Sequence, residues 1–331
     1  MNDHSKRRFP KLAVIFLGIA VAAWGLGAVY SVYLNPEVAF FKYGSALKQA
    51  YAEKLDREHP NKVVVFGGSS CNTTVEAGHM LEKDGLPTLN MGLGAGFGVP
   101  VLSRYALAAT RRGDTLIVAM EPPLMTTPFD SPALAVQFCA ATGNMGLLRQ
   151  DPAFSWLSTL LSLRPGGYHA LTLLGKIILR QPLYRYQKSE YSPCGWHAVT
   201  VQREVVGPPP HGPALSSDAC QWLANLQQWG ATNGVRVAYT LPWGYVPEDQ
   251  RAAFEKGNLE FLLQVSRYLP ILKDPRIGAY SERQHYADTF WHLIPEAARM
   301  HSDELAREIK AWDIWKPGEL EQRLAAYSAG K

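Results

Sequence analysis

The sequence predicts an α/β fold with a mostly parallel, doubly wound sheet behind one N-terminal transmembrane helix. Three observations carry that reading. Short apolar runs recur at Val63–Phe66, Leu86–Met91, Thr115–Met120 and Val235–Leu241. Their near-continuous apolarity suits parallel strands covered on both faces. Segments of helical character separate them, the alternation that builds a doubly wound sheet. Ahead of them all, Leu12–Leu34 is uncharged and long enough for a bilayer, which takes roughly 20 apolar residues.

The chain has 331 residues, 47% hydrophobic and 19% charged, ample for one large α/β domain or two small ones. Formal net charge is +4, and the cations are scattered. With no basic stripe interleaved with aromatics, nucleic acid is not an expected partner. Lys6, Arg7, Arg8 and Lys11 precede the apolar stretch. The positive-inside rule therefore puts residues 1–11 in the cytoplasm and residues 12–34 across the inner membrane, with the rest on the periplasmic or extracellular side. A cleaved signal peptide is the rival reading. Gly25-Leu26-Gly27-Ala28 lacks a small residue at the −3 position, whereas cleavage after Ala23, with Val21 at −3, stays open.

Cys71, Cys139, Cys194 and Cys220 allow three pairings, and the sequence does not choose among them. Export would permit a disulfide. There is no C-x-x-C motif, and His285, His292 and His301 are not spaced i, i+4 on one helix face. No metal and no cofactor are expected.

The elements follow in order. Asn35 caps and Pro36 opens a helix over 36–57, within a linker of residues 35–61. His59-Pro60-Asn61 leads into the first strand, 62–67. A helix over 74–84 and a strand over 86–91 precede the glycine-rich stretch Gly92–Gly98. A helix over 99–111 and a turn at Arg111–Asp114 precede the third strand, 115–120. From about 122 to 215 the alternation fails. That stretch is rich in Pro, Gly and aromatics, with Pro208-Pro209-Pro210 near its end. It reads as a cap inserted in a 62–331 domain, partly helical around 168–180, lying over the C-terminal edge of the sheet. Ser216 or Ser217 then caps a helix to about Trp229, and Val235–Leu241 is the fourth strand. Pro247 opens a helix over 247–268, a short strand falls near Pro270–Leu272, and helices over 294–312 and 317–328 close the chain.

The chemistry centres on the end of the first strand. Gly67-Gly68 allows a sharp turn there, leaving the Ser69 hydroxyl at the edge where open α/β sheets bind ligands. Serine needs a base to act as a nucleophile. Asp288 and His292, within Tyr286–Leu293, offer one near the other end of the chain.

Gly67-Gly68-Ser69, then Asn90-Met91-Gly92, then Asp288 and His292-Leu293 ahead of a helix, together resemble the SGNH/GDSL hydrolase superfamily. The likeness is to its membrane-anchored, exported branch of polysaccharide O-acetyltransferases and acetylesterases, over residues 62–120 and 235–311. It implies a flavodoxin-like three-layer α/β/α fold. It implies Ser69 as nucleophile, or Ser70 if the motif is read as Gly-Ser-Ser. His292 would be general base and acid, Asp288 its orienting carboxylate, and the N–H groups of Ser69 and Gly92 the oxyanion hole.

Two positions depart from the family pattern. Where the family has Gly-x-Asn after the third strand, this chain has Met120-Glu121-Pro122-Pro123, and an ionised Glu donates no hydrogen bond. Asn72 or Asn90 is a candidate replacement, and Glu121 is a candidate ligand for sugar hydroxyls. The acid and base are also one residue further apart than the usual Asp-x-x-His. Trp196, Trp243, Tyr245 and Trp291 suit either sugar faces or the core, and His197 and His211 read as surface residues.

The resemblance implies an exported carbohydrate O-acetyltransferase or acetylesterase acting on a cell-surface polysaccharide. It also implies a multi-spanning membrane acyltransferase as partner. The alternative is a catalytically silent, polysaccharide-binding accessory subunit, which the two departures favour. A lipase or thioesterase is a third reading.

Overall fold

The computed structural model describes residues 3–130, 132–149, 155–165, 167–201, 203 and 214–328. In chain order, α1 (Asp3–Val29) runs through a π-helical turn (Tyr30–Leu34) into α2 (Pro36–Glu58). β1 (Val63–Phe66), α3 (Ser69–Thr74), α4 (Ala77–Asp84), β2 (Thr88–Asn90), α5 (Gly98–Leu107) and β3 (Thr115–Val118) follow. Then come α6 (Pro122–Thr126), α7 (Ala133–Thr142), α8 (Gly146–Arg149), α9 (Trp156–Ser162) and α10 (Gly167–Ile178). The remainder is α11 (Ser217–Asn233), β4 (Arg236–Tyr239), β5 (Gly244–Tyr245), α12 (Arg251–Val265), β6 (Ala279–Tyr280), α13 (Pro295–Ala311) and α14 (Pro317–Ser328).

These elements form two compact units. Met1–Lys42 groups with Pro132–Tyr186, and Tyr43–Ser131 groups with Gln187–Lys331. The stretch 122–215, expected as one insert, is therefore divided, its middle belonging with the N-terminal helix and its ends with the sheet. The triple proline and His211 lie outside the described residues.

In the first unit α1 is long and apolar enough to cross a membrane. At 1.5 Å per residue its 27 residues extend about 40 Å. Asn35 caps α2 as its sequence position suggests, its Oδ1 accepting from the Glu37 N–H at 3.0 Å. α9 is joined to α1 by the Trp24 indole N–H, which donates to the Leu160 carbonyl at 3.0 Å. Gln137 on α7 ties α9 in turn, donating to the Ser162 carbonyl at 2.9 Å.

The second unit holds a four-stranded, wholly parallel sheet of order β2-β1-β3-β4. β1 is buried along its whole length. Val63 and Val65, with Ile117 and Ala119, face Cys71, Val75, Met80, Leu305 and Ile309 of the α3, α4 and α13 side. On the opposite face Phe66 meets Trp222 of α11 edge-on, and the Trp222 indole N–H donates to Ser103 on α5. Each fully buried aliphatic side chain in such a core contributes about 1.5–3 kcal/mol. The expected strand near 270–272 is reduced to single bridges, Tyr239 with Ile271 and Leu272 with Ile314. The two-residue parallel pair β5–β6 was not expected.

Strand order and register position the site. β1 lies between β2 on one side and β3 on the other, the reversal that opens a crevice at the strands' carboxyl ends. Val65 pairs with Asn90 and Phe66 with Val118. Gly67–Ser69, Met91–Gly92 and Ala119–Glu121 therefore leave the sheet side by side.

Candidate functional site

The expected helix over 74–84 begins five residues earlier, at Ser69, and is broken at Val75–Glu76 into α3 and α4. Ser69 is the first residue of α3 and is partly exposed, whereas Ser70 is completely buried. One helical step of about 100° turns successive side chains to different faces. The Ser70 Oγ finds no hydrogen-bond partner among the described residues. Ser69 is thus the hydroxyl that a substrate could reach.

Glu121, at the position where the resemblance calls for an Asn, has a structural role. Its carboxylate caps α3 from the end of β3. One oxygen accepts from the Gly68 N–H at 3.1 Å and the other from the Ser70 N–H at 2.8 Å. Glu121 is 4% exposed, so it is a buried clamp on the turn that carries Ser69. A Cβ on Gly68 would lie 2.4 Å from a Glu121 carboxylate oxygen; glycine is what lets the clamp close.

Gly92 also sits where a side chain would not fit, its hypothetical Cβ 2.5 Å from the Asn72 nitrogen. It is therefore placed tightly against α3. Its N–H, however, donates to Asn90 Oδ1 at 2.8 Å. Asn90 is fully buried, and its Nδ2 donates to the carbonyls of Cys71 at 2.9 Å and Val75 at 2.7 Å. Asn90 is a brace between β2 and α3, not a group presented to substrate. Lys48 of α2 completes the brace, its buried Nζ donating to the Asn90 carbonyl at 2.9 Å. Burial pulls that amine down to about 7.

Asp288 and His292 form a pair, His292 Nδ1 to Asp288 Oδ1 at 2.8 Å, with both side chains buried. The extra residue between them is absorbed by a turn. Thr289 Oγ1 accepts from the N–H groups of Trp291 and His292. Ala287 N–H donates to the His292 carbonyl, and Tyr286 bridges Leu293. With Nδ1 donating to Asp288, proton acceptance falls to Nε2.

Sequence reasoning missed a second acid–His pair. His197, read as a surface residue, is 2% exposed. Its Nε2 lies 3.1 Å from Glu190 Oε2 and its ring packs 5.4 Å from that of Tyr191. Its N–H donates to the Asn72 carbonyl on α3 at 3.2 Å. Burial, the largest cause, raises the Glu190 carboxyl; the Gln187 N–H lowers it and the charge of Asp288 raises it. His197 thus ties this stretch to α3. The acid–His pair itself is local, seven residues apart and closed by the Tyr191–His197 bridge, but nothing in the local pattern announces that His197 is buried against α3. Among the described residues no hydrogen bond joins Ser69 to His292.

Asn72 is buried; its Nδ2 donates to the Tyr191 hydroxyl at 3.4 Å, while its Oδ1 finds no hydrogen-bond partner among the described residues. Both candidate sugar-binding tryptophans pack into cores. Trp243 stacks on Tyr280 at 3.8 Å with His301 edge-on at 4.9 Å. Trp291 packs with Val246, Phe254 and Ala279. Trp196 is buried too, and its indole N–H donates to the Thr73 carbonyl at 2.8 Å. Among the described residues no group of three or more His, Cys, Asp or Glu side chains is placed to hold a metal ion.

Comparison of the chain with protein-family models, with curated proteins and with solved structures gives no significant match in any of the three.

Proposed function

We propose that this chain is a membrane-anchored, exported serine O-acyltransferase or esterase of SGNH type, acting on the acetyl esters of a cell-surface polysaccharide. The observation that carries the reading is the buried Asp288–His292 couple on the loop before α13, taken with a partly exposed Ser69 at the first turn of the helix after β1. The strand order β2-β1-β3-β4 agrees with a flavodoxin-like sheet, and the ligand crevice of such a sheet falls at Ser69.

In this reading the Ser69 Oγ attacks the acyl carbonyl as its proton passes to His292 Nε2. The tetrahedral adduct collapses, and His292 returns that proton to the departing alkoxide, leaving acyl-Ser69. A sugar hydroxyl or water, deprotonated by His292, then attacks the acyl-enzyme and regenerates Ser69. Asp288 holds the imidazole in the required tautomer. The N–H groups of Ser69 and Gly92 are the oxyanion donors, so Asn90 Oδ1 must share or release Gly92 as charge develops. Residues 1–11 would lie in the cytoplasm and the sheet-bearing unit outside the inner membrane. A multi-spanning membrane acyltransferase would supply acetyl groups.

One observation favours the accessory-subunit reading instead. Three N–H groups around Ser69, those of Gly68, Ser70 and Gly92, are already engaged by Glu121 and Asn90. Acetyl release from p-nitrophenyl acetate by the full chain in detergent discriminates the two. Turnover that is lost in both Ser69→Ala and His292→Ala supports the enzyme. Equal background rates in all three proteins support the accessory subunit.

A further inference from the structure

The first unit exposes apolar side chains well beyond α1. On α10, Leu171, Leu174 and Ile178 recur at i, i+3 and i+7 and are 69%, 53% and 70% exposed, while Leu173 turns inward and is buried. On α9, Leu157, Leu160 and Leu161 are exposed as well. Apolar patches beyond a few hundred Å² are rare on soluble monomers and mark protein or membrane contacts. The charge of this stretch has one sign. Between Ser155 and Tyr186 stand Arg164, Lys176, Arg180 and Arg185, with no Asp or Glu.

Of the two helices, α9 is tied directly to the apolar helix, and α10 belongs to the same compact unit. The Trp24 side chain of α1 bonds the Leu160 carbonyl of α9. A Cβ on Gly27 would lie 3.1 Å from Arg164 Cβ, so the end of α9 closes tightly on the C-terminal part of α1.

We propose that α9 and α10 form a second lipid-binding element, set beside α1 within the bilayer that α1 crosses. Their leucines and isoleucines face acyl chains, and the long side chains of Arg164 and Arg180 extend toward anionic headgroups. The inference rests on α1 being a membrane anchor. Lipid is the occupant because α9 packs on α1, and the cations of the stretch call for an anionic surface. A second copy would set like charges against like.

The test uses the full chain with the partly exposed Cys194 and Cys220 changed to Ser. Single cysteines are introduced as Leu174→Cys, Ile178→Cys, Ile19→Cys on α1 and Gln227→Cys on α11, and labelled with an environment-sensitive fluorophore. The proteins are reconstituted in phosphatidylcholine–phosphatidylglycerol vesicles. Labels at 174 and 178 should shift to the blue and be quenched by acyl-chain nitroxide lipids comparably to the label at 19, while that at 227 is not. Quenching at 19 but only aqueous iodide quenching at 174 and 178 overturns the proposal and leaves the anchor intact. Absence of lipid quenching at 19 overturns the anchor and this inference with it. Energy transfer between copies labelled at 174, without lipid quenching, overturns it in favour of a chain–chain interface.

Discussion

Glu121→Gln tests how the turn that carries Ser69 is held. The wild-type carboxylate accepts two backbone hydrogen bonds, at 3.1 and 2.8 Å, from a buried position. Hydrogen bonds to a charged group contribute about 1.5–3 kcal/mol each, and a neutral one about 1 kcal/mol. The amide keeps one acceptor, but its NH₂ must face the second N–H, donor against donor. The expected net loss is about 2–4 kcal/mol. For a unit of this size that lowers the melting temperature by at least about 4 °C. Thermal unfolding of the full chain in detergent, followed by tryptophan fluorescence, reads this directly. A variant that melts within about 1 °C of wild type would refute the clamp, because so small a shift corresponds to less than about 0.5 kcal/mol.

Ser70→Ala removes a buried hydroxyl without a hydrogen-bond partner and should stabilise the chain by about 1 kcal/mol; a drop in melting temperature would count against the assignment of Ser70 as the buried serine. Burial holds His301 down at about 4, so its contribution is intact above its ordinary value near 6.5 and is lost as pH falls through 4. The full loss is about 3 kcal/mol, and His301→Gln should flatten the acid limb of melting temperature against pH; parallel limbs would show that His301 does not set it. Glu308 has the opposite sign, since burial, with Asp274 and Glu304 beside it, pushes its carboxyl up to about 9. The protonated form is favoured by folding, stability falls as pH rises toward 9, and Glu308→Gln should gain on wild type more at pH 8 than at pH 4.5. Asp288→Asn should fold normally yet slow acetyl release, through the wrong His292 tautomer; unchanged turnover would remove Asp288 from the mechanism.

The sheet was legible because continuous apolar runs such as Val63–Phe66 and Thr115–Val118 admit little else when helices cover both faces. The glycines that end β1 marked the turn, since close approach leaves no room for Cβ at Gly68 or Gly92. The sequence did not reveal what fills that space. Glu121 reaches Gly68 and Ser70 across more than fifty residues, a pairing that no local spacing encodes. The burial of His197 beside Glu190 was hidden for another reason, since the prolines and aromatics of that stretch carry no period to mark an inward face. The middle of the insert was expected to belong to the sheet domain, but Pro132–Tyr186 groups with the N-terminal helix, and the apolar residues of that stretch do not say in sequence which element they will pack beside.

The central claim is that Ser69 is an activated nucleophile, and covalent labelling tests it most directly. The full chain in detergent is treated with a fluorophosphonate, digested, and the modified peptide sequenced by mass spectrometry. The account predicts one adduct, on Ser69, present in Ser70→Ala and absent from Ser69→Ala and His292→Ala. No adduct on either serine in folded wild-type protein, or an adduct on Ser70, would contradict it.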